Sequence, residues 1–538
     1  MRTEFIRIYK SVHTWTGIVA GMALFIAFYA GAITIFKAPL ERWATPPSAL
    51  HGATLALPDA AAVVVQAVRD IPTAGKEFQL RLTSQENTPK GLEWEVHAPD
   101  AEDHDYSTTR HFVATLEANG RVQAQETHPS GLAEFIDTLH RVVGLPYDVD
   151  PNRWVMGAIA MLYGVALVSG VIVLLPSLVK DFFALRVGKN LKRMWLDAHN
   201  VVGIISLPFH VVMALTAVVF AYHDGFYAIQ DVVVHGGKWS TAFASRGGAA
   251  TPPAARDPAL LLPPSELLAR AQALSPTFEP NTLQYLNAAG PRATVRVWGT
   301  DPRAHSPRFG GGFVALDPYS GKVMSADFLP GRQSLPHAVV SSFFALHFGT
   351  YGGNLLWLET RRTKAQRSSA PTAAPPPQRR DVRWLAAGTV GVCLGAVSGI
   401  SLTIVAAKWL HGHVDHLYAW HQIVYYSVFL AAVAWAFLRE AAQAAVDLLW
   451  LACATTVAIP ATSLLAALVP GLGLWVHTSA ATLGVDATAL AGSLGFAWMA
   501  RATARRVRQG PSDSVWSLRR GTIHPAPAAL QPDARTAA

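Results

Sequence analysis

The sequence predicts a polytopic α-helical membrane protein with about eight transmembrane helices and two small α+β modules outside the bilayer. Three observations carry that expectation. Of 538 residues, 51% are hydrophobic and only 15% charged, too apolar a balance for an ordinary soluble chain. The apolar residues collect in runs long enough to span about 30 Å of hydrocarbon. Between them Lys and Arg gather in short segments, and counting eight crossings puts every such segment on one side, as the positive-inside rule requires.

The first span (1–36; apolar from His13 to Phe36) follows Arg2, Arg7 and Lys10, which places the N-terminus in the cytoplasm. No small-residue cleavage site precedes Lys37, so the run reads as an uncleaved signal anchor. Residues 37–150 form the first outer module. A helix is expected at Leu57 to Arg69, and strands at Leu92 to His97 and Phe112 to Ala118. An Asn119-Gly120 turn then leads into Arg121 to Gln125. The amphipathic stretch Gly131 to Val143, containing His140, feeds the second span at Arg153 to Leu178. Lys180, Arg186, Lys189, Lys192 and Arg193 against a lone Asp181 mark a cytoplasmic loop, and the third span, Trp195 to Tyr222, returns outward, so that 151–222 holds two spans.

The second outer module, 223–336, repeats the grammar of the first, with a helix at Pro264 to Ala273, strands at Thr282 to Asn287 and Ala293 to Trp298, and a closing hairpin. LEANGRVQAQ (116–125) and LDPYSGKVMSA (316–326) are the same strand, turn and strand, which points to an internal duplication. The spans share it: Gly17 follows His13 by four residues, and Gly203 follows His199 by four. The fourth span (337–360) contains LHFGTYGG with His347. The basic, Pro/Ala/Ser-rich segment 361–383 reads as a cytoplasmic linker. Four further spans fill 384–503, at Trp384 to Leu410, Leu417 to Leu438, Val446 to Val469 and Thr482 to Ala500, before a tail, 504–538, expected to be disordered and cytoplasmic.

Function rests on the histidines. Cys393 and Cys453, the two cysteines, both lie in apolar runs and offer neither a disulfide framework nor a thiolate metal site. The net charge of +8 sits in the loops that set orientation, so nucleic acid is not an expected partner. There is no G-x-S-x-G, H-E-x-x-H, P-loop or dinucleotide fingerprint. An ionisable group inside a span costs a few kcal/mol unless it meets a partner or a cofactor. His199 and His210 are eleven residues apart, so they share one helix face about 16 Å apart along the axis. Two imidazoles on one face at two depths suit two haems, one per leaflet. Pro208 between them is expected to kink the helix.

His13 with His199 would form the inner pair, while His210, His347 and His140 compete for two places at the outer one. Nearby glycines would let a flat macrocycle or a neighbouring helix approach. The loop HGHVDH (411–416), followed by His421, offers His411, His413 and His416 as a divalent-metal site, although a solvated loop is the simpler reading. His97, His104, His111 and His128 show no ligand spacing and read as surface residues.

KSVHTWTGIVAG in the first span, TLHRVVGLP before the second, DAHNVVGIISLPF opening the third and ALHFGTYGG in the fourth occur in an order and spacing that, with the two outer modules, resemble a known family. It is the PepSY-associated transmembrane helix family of the bacterial inner membrane, which includes ferrisiderophore reductases and iron-regulated membrane proteins. The resemblance covers the first 360 residues. It implies two PepSY-like modules in the periplasm and two b haems, while the basic segments at each end put both termini in the cytoplasm. It further implies an oxidoreductase that passes electrons from quinol or a cytoplasmic reductase to ferric iron or a ferric siderophore. The histidines carried over with those motifs are His13, His140, His199 and His347, whereas His210 rests on the facial argument alone.

Two features depart from the family pattern. The apolar run between Gly349 and Arg361 is short, consistent with a truncated fourth span, and the four C-terminal spans lie beyond the minimal family unit. A different class of function remains open: PepSY modules resemble segments that inhibit or chaperone peptidases, so the helices could serve only to anchor a regulator of a periplasmic partner. A transporter ranks last, because several spans hold little polar character beyond Asp486.

Overall fold

The computed structural model describes residues 3–47, 57–71, 73–74, 76–82, 91–97, 108–116, 120–177, 191–236, 256–303, 312–326, 329–333, 338, 380–477 and 479–509. In chain order the helices begin with α1 (Thr3–Thr34), α2 (Lys37–Ala44), α3 (Leu57–Asp70), α4 (Leu132–Arg141), α5 (Asp150–Leu174) and α6 (Leu191–Ala221). They continue with α7 (His223–His235), α8 (Pro264–Leu274), α9 (Arg380–Leu410), α10 (Leu417–Arg439), α11 (Ala441–Leu468) and α12 (Ala480–Gln509). The strands are β1 (Glu77–Arg81), β2 (Gly91–Val96), β3 (Arg110–Leu116), β4 (Val122–Thr127), β5 (Glu279–Leu286), β6 (Thr294–Thr300), β7 (Phe313–Leu316) and β8 (Val323–Ser325).

Among the described residues seven helices are long and apolar enough to cross a membrane: α1, α5, α6 and α9 to α12. The expected fourth span with His347, most of the basic loop after α5 and the Pro/Ala/Ser-rich linker lie outside the described residues. α6 runs as one helix from Leu191 to Ala221 with Pro208 inside it, where a kink was expected. Within a membrane helix the carbonyl that a proline orphans can be re-satisfied by local adjustment, so the segment need not end there.

The helices form two groups. α1 packs on α4 and α5, and α5 on α6; α9 packs on α10 and α11, and α11 on α12. Contacts of α1 and α2 with α9 and α12 join them. Close packing of α9 on α10 follows from small residues: a Cβ on Gly391 would stand 2.8 Å from the Val433 Cα, and one on Gly399 would stand 2.9 Å from the Tyr425 ring.

The strands form one antiparallel sheet of order β4-β3-β2-β1-β5-β6-β7-β8. The two predicted modules therefore share a sheet, joined where β1 meets β5 with Leu80 opposite Leu283. The order is symmetric about that seam, and the two hairpins that revealed the duplication occupy the opposite edges. One face alternates inward along β1, β2 and β6 and buries Phe78, Leu80, Leu92, Trp94, Leu283, Val295 and Val297 against Val63 of α3 and Leu267 of α8. Phe78 and Tyr285 stack across the seam at 4.7 Å.

Candidate functional site

His13 is in the fourth turn of α1 and His199 in the third turn of α6, and their rings meet with centroids 6.0 Å apart and planes inclined at 53°. His13 Nδ1–H donates to the Ala166 carbonyl of α5 at 2.8 Å. That bond fixes the tautomer and leaves the lone pair on Nε2, the arrangement by which a backbone carbonyl orients a metal-binding imidazole. α5 admits the ring because residue 170 is glycine: a Cβ there would stand 2.8 Å from His13 Cε1 and 2.9 Å from Nδ1. One turn beyond each histidine, nothing among the described residues lies within 4 Å of where a Cβ on Gly17 or Gly203 would be.

Further along α1 lies a second polar group. His140, near the end of α4, donates through Nδ1–H to the Ala27 carbonyl at 2.9 Å. His210 Nδ1 is hydrogen-bonded to the Tyr163 hydroxyl of α5, and the Tyr163 ring meets Phe28 edge-on at 6.2 Å. His140 thus reaches Ala27 of α1, about 21 Å along its axis from His13, and Tyr163, the partner of His210, meets the next residue, Phe28. All three imidazoles have Nδ1 engaged by a neighbouring helix.

The polar face of α4 is ionic. Lys37 bonds Glu134 and Asp137, Arg141 pairs with Glu134, Asp137 and Asp148, and Arg153 takes up Asp148. Burial opposes the charge on Asp137, but Arg141, Lys37 and His140 together hold its carboxyl below the ordinary value. Burial likewise works against Lys37, and Asp137 with Glu134 raises its ammonium above the usual range. Three acids against three bases leave His140 beside a neutral, rigid cluster.

A haem held by two imidazoles places their ring centroids about 6 Å apart, since each nitrogen lies about 2 Å from the metal and about 1 Å from its ring centre. The His13–His199 separation of 6.0 Å fits, as does the room that the described residues leave at Gly17 and Gly203. At the second level His140 bonds Ala27 of α1, His210 bonds Tyr163, whose ring meets Phe28 of α1, and His347 lies outside the described residues. The loop histidines are engaged otherwise: His411 Nε2 bonds the His128 carbonyl at 2.8 Å, His413 Nδ1 bonds the His411 carbonyl at 3.1 Å, and His416 immediately precedes α10. Among the described residues no three His, Cys, Asp or Glu side chains converge as a metal site requires. His97 and His111 both approach Glu95, at 4.0 and 3.3 Å.

Sequence reasoning did not find Lys408. Its side chain is 1% exposed, and Nζ stands 4.3 Å from the Trp43 ring centre and 5.4 Å from that of Trp475. Trp43 Nε1 and Ser463 Oγ both donate to Asp486 Oδ1 at 3.0 Å, and the carboxylate acts electrostatically on Lys408. A lysine inside a predicted span was the available signal. Of its partners only Asp486 of α12 stood out in the sequence; Trp43 of α2 and Trp475, between α11 and α12, did not. The arrangement clasps the C-terminal helices to α2.

A family model described as the PepSY-associated TM region matches residues 10–360. No curated protein matches the chain.

Proposed function

The chain belongs to the PepSY-associated transmembrane family, and from that premise we propose that it is a di-haem electron-transfer protein of the bacterial inner membrane. It reduces periplasmic ferric iron, carried as a siderophore complex, with electrons from quinol or a cytoplasmic reductase. The His13–His199 pair carries this reading: two imidazoles 6.0 Å apart on neighbouring membrane-spanning helices, one with its tautomer set by a carbonyl, have no comparable purpose in a bare anchor.

In this reading His13 and His199 would hold the haem nearer the cytoplasm, and His140, with His210 or His347, would hold the one nearer the periplasm. Bound haem supplies one-electron carriage, which matches the single electron that separates ferric from ferrous iron. The chain does the rest. Ala166 and Ala27 fix the imidazole tautomers through their carbonyls, Gly170 makes room for His13, and the apolar faces of α1, α5 and α6 exclude water. Arg7 and Lys10 in the first turns of α1 and Arg505, Arg506 and Arg508 at the end of α12 would orient both termini to the cytoplasm, as the eight crossings expected from the sequence require. The shared sheet then faces the periplasm, where the iron complex arrives.

The test is reconstitution in liposomes with a reductant enclosed and a ferric siderophore outside, following ferrous iron with a chromogenic chelator. Wild type is expected to reduce the external complex, and His199→Ala to lose most of that rate. Equal rates for the two proteins and for empty liposomes would remove the reductase reading and favour a membrane-tethered partner-binding protein.

A further inference from the structure

The segment 130–146, which carries α4 and His140, is gripped along its length by one face of α10. Tyr418, His421, Gln422, Tyr425 and Tyr426 recur at three- and four-residue spacing, so they form one stripe. Ahead of α4, His421 Nε2–H donates to the Ser130 carbonyl at 2.8 Å. Within it, Phe135 meets the rings of Tyr418, His421 and Tyr425 at 5.9, 5.9 and 5.8 Å. Beyond its end, the Tyr426 hydroxyl donates to the Gly144 carbonyl at 3.0 Å, and Gln422 Nε2 donates to the Pro146 carbonyl at 2.7 Å. From the other side, His140 reaches Ala27 of α1. α4 is therefore a wedge between α1 and α10.

The turn after α4 needs that grip. Val143 has φ 57°, and a β-branched residue persists in the left-handed region only where its surroundings over-determine it. Gly144 follows at φ 79°, and a Cβ there would press on Ile26 of α1 at 2.9 Å. Two more C-terminal imidazoles fix the connections on either side of the β1–β4 half of the sheet: His411 bonds the His128 carbonyl, and His477 Nε2 bonds that of Thr45 at 2.9 Å.

We propose that α10 is the positioning element for His140, with Gln422 and Tyr426 setting how far the end of α4 stands from α1. The inference rests on the di-haem reading and gives the four C-terminal helices a role in it, as the abutment against which the second haem site is built. Gln422 and Tyr426 act through α4 and are positioning residues.

The test uses the full-length protein in detergent with Gln422→Leu, Tyr426→Phe and the double variant, which keep the side-chain volume. Amide exchange in 131–146 is expected to run about fivefold faster for each bond lost, with α5 and α6 unchanged. The haem whose signal disappears in His140→Ala is expected to shift its midpoint potential and its low-spin magnetic resonance line in the double variant. Haem number should hold, and the haem lost in His13→Ala should stay as it is. Unchanged exchange in 131–146, or faster exchange with no change in that potential, overturns the proposal. Faster exchange in a protein that holds no haem would sink the di-haem reading while leaving the bracing of α4 by α10 in place.

Discussion

Gly170→Ala isolates the His13 site from the stability of the fold. The added Cβ would stand 2.8 Å from His13 Cε1, whereas carbon contacts settle near 3.5 Å, so the imidazole must retreat by about 0.7 Å. Metal–ligand distances tolerate about 0.2 Å, and the Nδ1 bond to Ala166 at 2.8 Å is lengthened or lost in the same movement. Disturbing an orienting partner of this kind lowers metal-site affinity by about 10- to 100-fold. The helix itself gains, since alanine is favoured over glycine by up to about 1 kcal/mol in a helix interior. The variant should therefore unfold no sooner than wild type while one of its two haems is lost or weakly held. Haem titration of the purified protein, beside thermal unfolding in the same detergent, reads both quantities. Full occupancy of both sites with wild-type affinity would refute the reasoning.

Other predictions concern separate parts of the molecule. His140→Ala should remove the second haem and leave the first, as seen in haem per chain. Trp43→Phe deletes the indole donor shared by Asp486 and Ser463 and should lower stability by about 1–3 kcal/mol, measured as the unfolding midpoint in detergent. Glu41→Gln weakens the carboxylate that accepts from the Gly131 and Ala133 amides at the start of α4, at a cost of about 1 kcal/mol in the same assay. In the sheet, burial tends to raise the Asp317 carboxyl, but Arg256 and the Ser320 and Tyr319 amides hold it down to about 2. Its folded value is depressed, so the stabilisation is present above the unfolded value of about 3.9 and is lost as pH falls through about 2. After allowance for solvent screening the loss is about 1 kcal/mol, and Arg256→Met should reduce that pH dependence of sheet unfolding, the Ser320 and Tyr319 amides keeping part of it.

The membrane helices were legible because each is a long apolar run, and α9 to α12 differ from their expected bounds only near the ends. The duplication was legible in the two hairpins. That the modules share a sheet was not, because β1 is five residues, EFQLR, whose pairing with β5 lies some two hundred residues away and leaves no local trace. α2 was missed because KAPLERWA is short and carries a proline. At the site, the facial spacing of His199 and His210 placed two imidazoles at two depths, and the Gly offsets marked where space would be. The carbonyls that fix His13 and His140, the Tyr163 hydroxyl on His210 and the Trp43–Lys408–Asp486 contact depend on which helices are neighbours. One sequence does not encode that by periodicity.

The most direct measurement is a reduced-minus-oxidised absorption spectrum of the full-length protein purified in detergent, with haem counted per chain. The account predicts a coloured protein with two reducible b-type haems, one of them absent in His13→Ala. A colourless preparation from cells supplied with haem, or a His13→Ala protein with an unaltered count, would contradict it.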